Sequence, residues 1–328
     1  EAKLLTHLTN TNKESDQNMS STKANKEKGG SKVEPKENPL AAFTPDESFL
    51  DDYISREVNG ITDYEILEAA HKMRHNVLLS GPTGSAKTSL VYAYAAKVGL
   101  PVINVPCNGG VDVRTLIGGW TPTADGSFAF SAGPLVKGVE HGAIIYLDEV
   151  NFMPPKIAAC LHGLLDKRRT IDIPEAAGSD YPTSIKAHPD TFVIAAMNPN
   201  YAGTRPLNEA FRNRFAIKLD WGYEKSVESE LLASASLLEM AGAIRTRAEA
   251  GEISPIPTNI LIEFEDICDT FGTAHGAEAG FNFAVANLLN SYEDEIERRI
   301  VVELFEIYRN RILDELGIDS SGFSDDER

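Results

Sequence analysis

Hydrophobic and polar positions divide the chain into four stretches. Residues 1–44 are dominated by Lys, Glu, Ser, Asn and Thr. They carry too few large apolar residues to repay the entropy of ordering, so a disordered polar tail is expected there. Its basic positions from Lys23 to Lys36 are interleaved with glutamates, as in a solvated segment. From Pro45 onward, short apolar runs without alternation are separated by segments of helical period. Such runs suit strands covered on both faces, as in a parallel sheet. They fall at 77–79, 143–147 and 192–197, and further strands are expected at 102–105 and 216–219. Helices are expected over 49–53, 61–73, 90–98 and 154–165, the last with Ile157, Leu161, Leu164 and Leu165 on one face. A hairpin turning on Asp125-Gly126 sets Trp120 against Phe128 or Phe130. It reads equally as an ordinary surface hairpin and as an insert that touches a substrate or partner. A second hairpin joins 170–173 to 184–187. Past Asp220-Trp221-Gly222 the strand pattern ceases, and 227–244, 257–271 and 281–316 read as helices. In the last, Leu288, Tyr292, Ile296, Ile300, Leu304, Tyr308 and Ile312 recur every four residues as a core stripe. The pattern predicts an α/β domain over 45–222, a smaller all-α domain over 223–318, and a flexible acidic tail over 319–328.

The chemistry gathers at the ends of the expected strands. Gly81-Pro82-Thr83-Gly84-Ser85-Ala86-Lys87-Thr88 lies between a strand and a helix, the setting of a phosphate-binding loop. Backbone N–H groups and the positive helix end would surround phosphates. Lys87 would reach the β- and γ-phosphates of ATP, and the Thr88 hydroxyl would hold Mg²⁺. The pattern expects Gly at position 86; Ala86 fits if that residue already has helical backbone angles. Asp148 and Glu149 end the strand at 143–147, where Asp148 would join the Mg²⁺ shell and Glu149 would polarise an attacking water. Asn198 closes the strand at 192–197, either to orient that water or as a turn residue before Pro199. Arg212 and Arg214 are either structural or given to a neighbouring subunit's nucleotide as arginine fingers. Asp166-Lys167-Arg168-Arg169 follows a helix, where the basic residues read as dipole partners.

Composition narrows the classes. The 328 residues are 42% hydrophobic and contain no apolar run long enough to cross a bilayer. Cys107, Cys160 and Cys268 lie far apart without metal or disulfide spacing, as reduced thiols of a cytoplasmic protein do. A net charge of −18 argues against a mainly electrostatic nucleic-acid binder. No Asn-Lys-x-Asp base-reading motif for GTP stands in the expected folded region, and no histidine is placed beside a nucleophile.

With these motifs in order, the chain resembles an AAA+ ATPase of the MoxR type and is most similar to the CbbQ/NorQ/GvpN-like branch. The resemblance covers about 50–225 and rests on Gly81 to Thr88, Ala132-Gly133-Pro134-Leu135, Tyr146-Leu147-Asp148-Glu149-Val150-Asn151, the stretch 187–192, Asn198-Pro199-Asn200-Tyr201 and Arg212-Asn213-Arg214-Phe215. It implies a P-loop αβα sandwich with a five-stranded parallel sheet, followed by a helical lid. It also implies a homo-oligomeric ring, a hexamer, with ATP and Mg²⁺ at subunit interfaces. On this likeness Asn198 matches the sensor-1 amide and Arg214, with Arg212 behind it, the trans-acting finger. The hairpin from Trp120 to Phe130 matches the helix-2 insert. Relatives remodel a protein client, commonly with a von Willebrand factor A-type partner. Asn259 stands where they carry a lid arginine that contacts the γ-phosphate, a role Arg245 or Arg247 would have to take over. The leading expectation is an ATP-hydrolysing remodelling motor. The alternatives are a nucleotide-gated ring module with little hydrolysis and a motor acting on nucleic acid.

Overall fold

The structure, a computed structural model, describes residues 39–107, 112–199 and 207–319. Most of the expected tail (1–38), Asn200, Tyr201 and the acidic end (320–328) lie outside the described residues. Ordered structure nevertheless begins before Pro45: Leu40 is 2% exposed and packs into the core, because a single leucine can be buried at the end of a polar stretch.

Helix α1 (Ser48–Asp51) and the short hairpin of β1 (Glu57–Val58) and β2 (Ile61–Thr62) lead into α2 (Asp63–Lys72). Next come β3 (Val77–Ser80), α3 (Lys87–Val98), β4 (Val102–Pro106) and α4 (Val113–Ile117). A hairpin of β5 (Gly118–Pro122) and β6 (Phe128–Ala132) precedes α5 (Pro134–His141), β7 (Ile144–Asp148) and α6 (Pro155–Leu165). A second hairpin, β8 (Thr170–Asp172) with β9 (Ser184–Lys186), precedes β10 (Phe192–Met197), α7 (Glu209–Arg212) and β11 (Ile217–Asp220). Helices α8 (Lys225–Leu231), α9 (Ala235–Glu249), α10 (Thr258–His275), α11 (Ala277–Asn290) and α12 (Glu295–Glu315) follow.

Strands β11, β3, β10, β7 and β4 pair in that order, all parallel. The expected α/β fold with a five-stranded parallel sheet and a helical C-terminal region is therefore observed. Side chains alternate between the two faces. Leu78, Ile103, Ile145, Leu147 and Val193 pack on one, and Leu79, Val102, Ile144, Tyr146 and Ile194 pack on the other against Leu90, Val91 and Tyr94 of α3. Burial on both faces explains why the three inner strands β3, β7 and β10 read as unbroken apolar runs, while the edge strands β4 and β11 carry exposed residues such as Asn104 and Lys218. The register sets Ser80 beside Met197 and Asp220, and Asp148 beside Pro106, so the strand ends form one edge. A third core, including Leu237, Ile244, Phe264, Phe281 and Phe305, lies within the C-terminal helices.

Several expected helices have other limits. The helix expected over 61–73 starts at Asp63, since Thr62 and Glu65 form a reciprocal capping box. The segment expected over 227–244 breaks after Leu231, where Glu265 and Glu315 carboxylates accept the N–H groups of Ala233, Ser234 and Ser236. The single helix expected over 281–316 is two, because the Asp294 carboxylate takes the N–H groups of Ile296 and Glu297 and starts α12 anew. Ile296, expected in the core stripe, is consequently 68% exposed.

Helices α8 and α9 are joined by a buried pair. Arg245 grips Glu228 through two hydrogen bonds of 2.7 Å each, and Glu228 also accepts the Thr258 hydroxyl at 2.5 Å. The side chains are 13% and 3% exposed. Removing one partner strands a buried charge, so Arg245→Ala is expected to cost about 3–5 kcal/mol in urea unfolding. A loss below about 1 kcal/mol, the range of surface pairs, would contradict this reading.

Candidate functional site

The loop after β3 is fixed by its neighbours. Gly81 N–H donates to Met197 O at 3.0 Å, and Trp221 N–H donates to Ser80 O at 2.6 Å. A Cβ on Gly81 would lie 1.8 Å from Trp221 O, so only glycine fits. Gly84 has φ +69 and lies against Pro257 and Asn259 at the start of α10. The loop closes on Ala86, whose angles of φ 62 and ψ 26 are left-handed rather than helical. This corrects the condition under which alanine was expected to fit: its Cβ is held in a region that favours glycine.

Lys87 opens α3 and folds back over the loop. Its Nζ donates to Gly81 O at 2.8 Å, Pro82 O at 2.6 Å and Ser85 Oγ at 3.3 Å. Burial pulls its pKa down to about 8, against the opposing pull of Asp148 and with a small further push from Arg56. Its donors thus satisfy the same loop whose N–H groups would face an anion.

Thr88 and Asp148 meet through a residue that was not foreseen as functional. Thr88 Oγ1 lies 3.0 Å from the Tyr146 hydroxyl, which lies 3.1 Å from Asp148 Oδ1. Tyr146 precedes Asp148 by two positions on β7, so strand alternation puts both on one face. That spacing was the available clue. Asp148 Oδ1 also accepts the Glu149 N–H at 3.0 Å. Glu149 is exposed and left-handed (φ 54, ψ 45), a strained geometry typical of functional turns.

Asn198 Nδ2 donates to Thr83 Oγ1 at 2.7 Å, and its carbonyl accepts Asn151 Nδ2 at 3.1 Å. The amide therefore sits against the loop. A cleft of about 420 Å³ is lined by residues 83–88, Asp148, Glu149 and Asn198, together with apolar Tyr53, Ile54, Val227, Leu231 and Ile262. Gly81 and Pro82 contribute through the carbonyls that hold Lys87. The oxygen donors of Thr88 and Asp148 suit Mg²⁺, which retains waters and takes one or two carboxylates alongside phosphates. Among the described residues no group of three or more His, Cys, Asp or Glu offers a protein-only cage. The donor set thus fits a cation that arrives with a phosphate.

The two candidate finger arginines do not line this cleft. Arg214 is half-buried and donates to Ala210 O at 2.6 Å; Arg212 is exposed beside Lys218 and Asp220. Arg169 is more than the helix-end partner that was expected. It is left-handed at φ 52 and donates to Asn76 Oδ1 at 2.9 Å and Leu164 O at 3.4 Å, while Asn76 Nδ2 holds Arg214 O at 2.9 Å. Asn259 lines the cleft but Arg245 and Arg247 do not, since Arg245 is occupied by Glu228. Instead, the Tyr223 hydroxyl donates to Thr83 O at 2.8 Å, and Arg245 stacks 3.7 Å over the Tyr223 ring.

Two outcomes follow from this geometry. The left-handed conformation costs alanine about 1–2 kcal/mol, of which glycine's looser unfolded chain takes back about 0.5–1 kcal/mol. Ala86→Gly should therefore raise stability by about 0.5–1 kcal/mol in denaturant titration, and a loss would refute the strain. Lys87 titrates near 8 when folded and about 10.4 when unfolded, so the unfolded chain binds more protons between these values. Its contribution to stability must then rise as pH climbs through that window. Lys87→Met should remove the rise; parallel stability–pH curves for both proteins would contradict the depressed value.

The AAA domain (dynein-related subfamily) profile matches residues 76–215. An uncharacterized protein of Staphylococcus epidermidis is 30% identical over 262 residues, covering 75% of this chain and 95% of its own length. A protein of Staphylococcus aureus, likewise uncharacterized, is 32% identical over 260 residues, with shares of 75% and 95%. Among solved structures, NtrX from Brucella abortus in complex with ADP aligns at a TM-score of 0.37 and 15% identity, covering 71% of this chain and 49% of NtrX. Among the described residues no helix is long and apolar enough to cross a membrane. With relatives of this identity matched along nearly their whole length, the chain belongs to one family with these staphylococcal proteins, and over residues 76–215, from the loop to Arg214, it carries an AAA domain of the dynein-related subfamily.

Proposed function

We propose that the chain binds ATP with Mg²⁺ and hydrolyses it as an AAA+ remodelling motor of the MoxR type acting on a protein client. The observation that carries this reading is the convergence of Lys87, Thr88, Asp148, Glu149 and Asn198 on one cleft. Loop N–H groups and Lys87 would hold the β- and γ-phosphates once Lys87 leaves the Gly81 and Pro82 carbonyls. Thr88 and Asp148 would hold Mg²⁺, which supplies charge neutralisation at the phosphates. Glu149 would accept the proton of the attacking water, and Asn198 would orient that water from its place beside Thr83. Among the described residues no arginine lines the cleft, and a ring, a hexamer on the family likeness, would let Arg214 with Arg212 reach a neighbour's nucleotide. The same reading assigns 45–222 to nucleotide binding and 223–318 to a lid. It also implies a cytoplasmic setting, a client surface on the β5–β6 hairpin and a von Willebrand factor A-type partner.

A second reading, a ring module that binds ATP and barely turns it over, is favoured by the strained Ala86 and by Asn259 at the cleft in place of a cation. A motor on nucleic acid is disfavoured by the net charge of −18. ATPase assays decide between them. Glu149→Gln should retain bound ATP while turnover falls by about 10²–10⁴-fold, and Arg214→Ala should lower turnover by about 10³-fold or more. Unchanged turnover in Glu149→Gln would remove Glu149 as the base. Tight ATP binding with no wild-type turnover would establish the second reading.

A further inference from the structure

Tyr146 is fully buried, and its ring packs in the core on the α3 side of the sheet with Leu79, Leu90, Val91 and Ile194. Its hydroxyl nevertheless reaches the polar edge, 3.0 Å from Thr88 Oγ1 and 3.1 Å from Asp148 Oδ1. A ring fixed on all sides delivers its oxygen to one place. The direction of the protons follows from the chemistry of the three groups. An ionised carboxylate only accepts, so Tyr146 O–H donates to Asp148. The phenol oxygen then has lone pairs but no further proton, so Thr88 O–H donates to Tyr146. With its proton committed to Tyr146, the Thr88 oxygen presents lone pairs alone to any other partner.

We propose that Tyr146 is a positioning residue for the metal–nucleotide site, setting the Thr88 hydroxyl and the Asp148 carboxylate in the orientation that receives Mg²⁺. This rests on the ATP–Mg²⁺ reading of the cleft. Outer hydrogen-bond partners of this kind orient ligands and, when removed, cost about 10–100-fold in metal affinity. Phenylalanine at 146 keeps the ring and deletes only the oxygen, leaving the Thr88 proton without its acceptor and Asp148 without one donor.

The test is equilibrium binding of a fluorescent ATP analogue to the full chain, titrated with Mg²⁺ and repeated in EDTA. Tyr146→Phe should raise the Mg²⁺ concentration at half-effect by about 10-fold or more, with affinity in EDTA within about twofold of wild type. A purely structural tyrosine would weaken both series together. In a Thr88→Ala background the Tyr146→Phe shift should shrink, because the relay has already lost one end. Equal Mg²⁺ midpoints in wild type and Tyr146→Phe would overturn the assignment while leaving the ATP reading intact. So would a Tyr146→Phe shift undiminished by Thr88→Ala. Failure of the wild type to bind the analogue at all would overturn both, and is recognisable before any variant is made.

Discussion

The contact on which the site depends is the wedge of Gly81 between β10 and the turn after β11. Its N–H is held by Met197 O, and the Trp221 carbonyl occupies the space where any side chain would stand. Trp221 is itself fully buried, and the Arg56 guanidinium covers its ring at 3.3 Å while donating to Gly222 O. These are main-chain contacts between strands that are neighbours only because the sheet is parallel and ordered as it is. The loop is therefore clamped at its root by the sheet before any ligand acts on it.

Such a clamp makes strain tolerable elsewhere. Ala86 and Glu149 both adopt left-handed angles, each a cost of about 1–3 kcal/mol that persists only where surroundings over-determine it. Ala86 is held by the loop root on one side and by α3 on the other, and Leu90 N–H closes the first turn onto Ala86 O at 3.0 Å. Glu149 is held by its own N–H on Asp148 and by the short 3₁₀ turn that follows it. The strain turns Glu149 outward to an exposed position at the cleft while Asp148, one residue earlier, remains half-buried beside Tyr146. Adjacent carboxylates thus occupy different surroundings, the arrangement that lets a pair take separate tasks.

Much of this was legible in the sequence because it depends on local rules. Unalternating apolar runs marked the core strands, and Asp148, Glu149 and Asn198 stood at their C-terminal ends. What escaped depends on partners far along the chain or on backbone angles. The apolar period runs unbroken from Phe281 to Leu316, so only the capping geometry of Asp294 reveals two helices. Nothing local marks Arg245 as the partner of Glu228 or Arg169 as the partner of Asn76, whose contacts span 17 and 93 positions. The left-handed turn at Ala86 was misjudged because alanine is the best of helix formers and the residue stands next to a helix. Tyr146 was legible in position but not in role: strand period placed it beneath Asp148, while only the distances reveal its hydroxyl joining Thr88.

The C-terminal helices reach the loop without a cation of their own in the cleft. Pro257 and Asn259 press on Gly84, and Tyr223 donates to the Thr83 carbonyl. Behind Tyr223 lie Arg245 and then Glu228, which also caps back to Thr258 at the head of α10. The two approaches to the loop thus converge on one buried carboxylate. A guanidinium contacting a phosphate would register charge directly. Here Arg245 is neutralised by Glu228, and what reaches the loop is the shape and hydrogen bonding of Tyr223, Pro257 and Asn259. Among the described residues, the contacts of this region with the loop therefore fall on the Thr83–Gly84 backbone and carry no net charge to it, while Val227, Leu231 and Ile262 add apolar lining to the cleft itself.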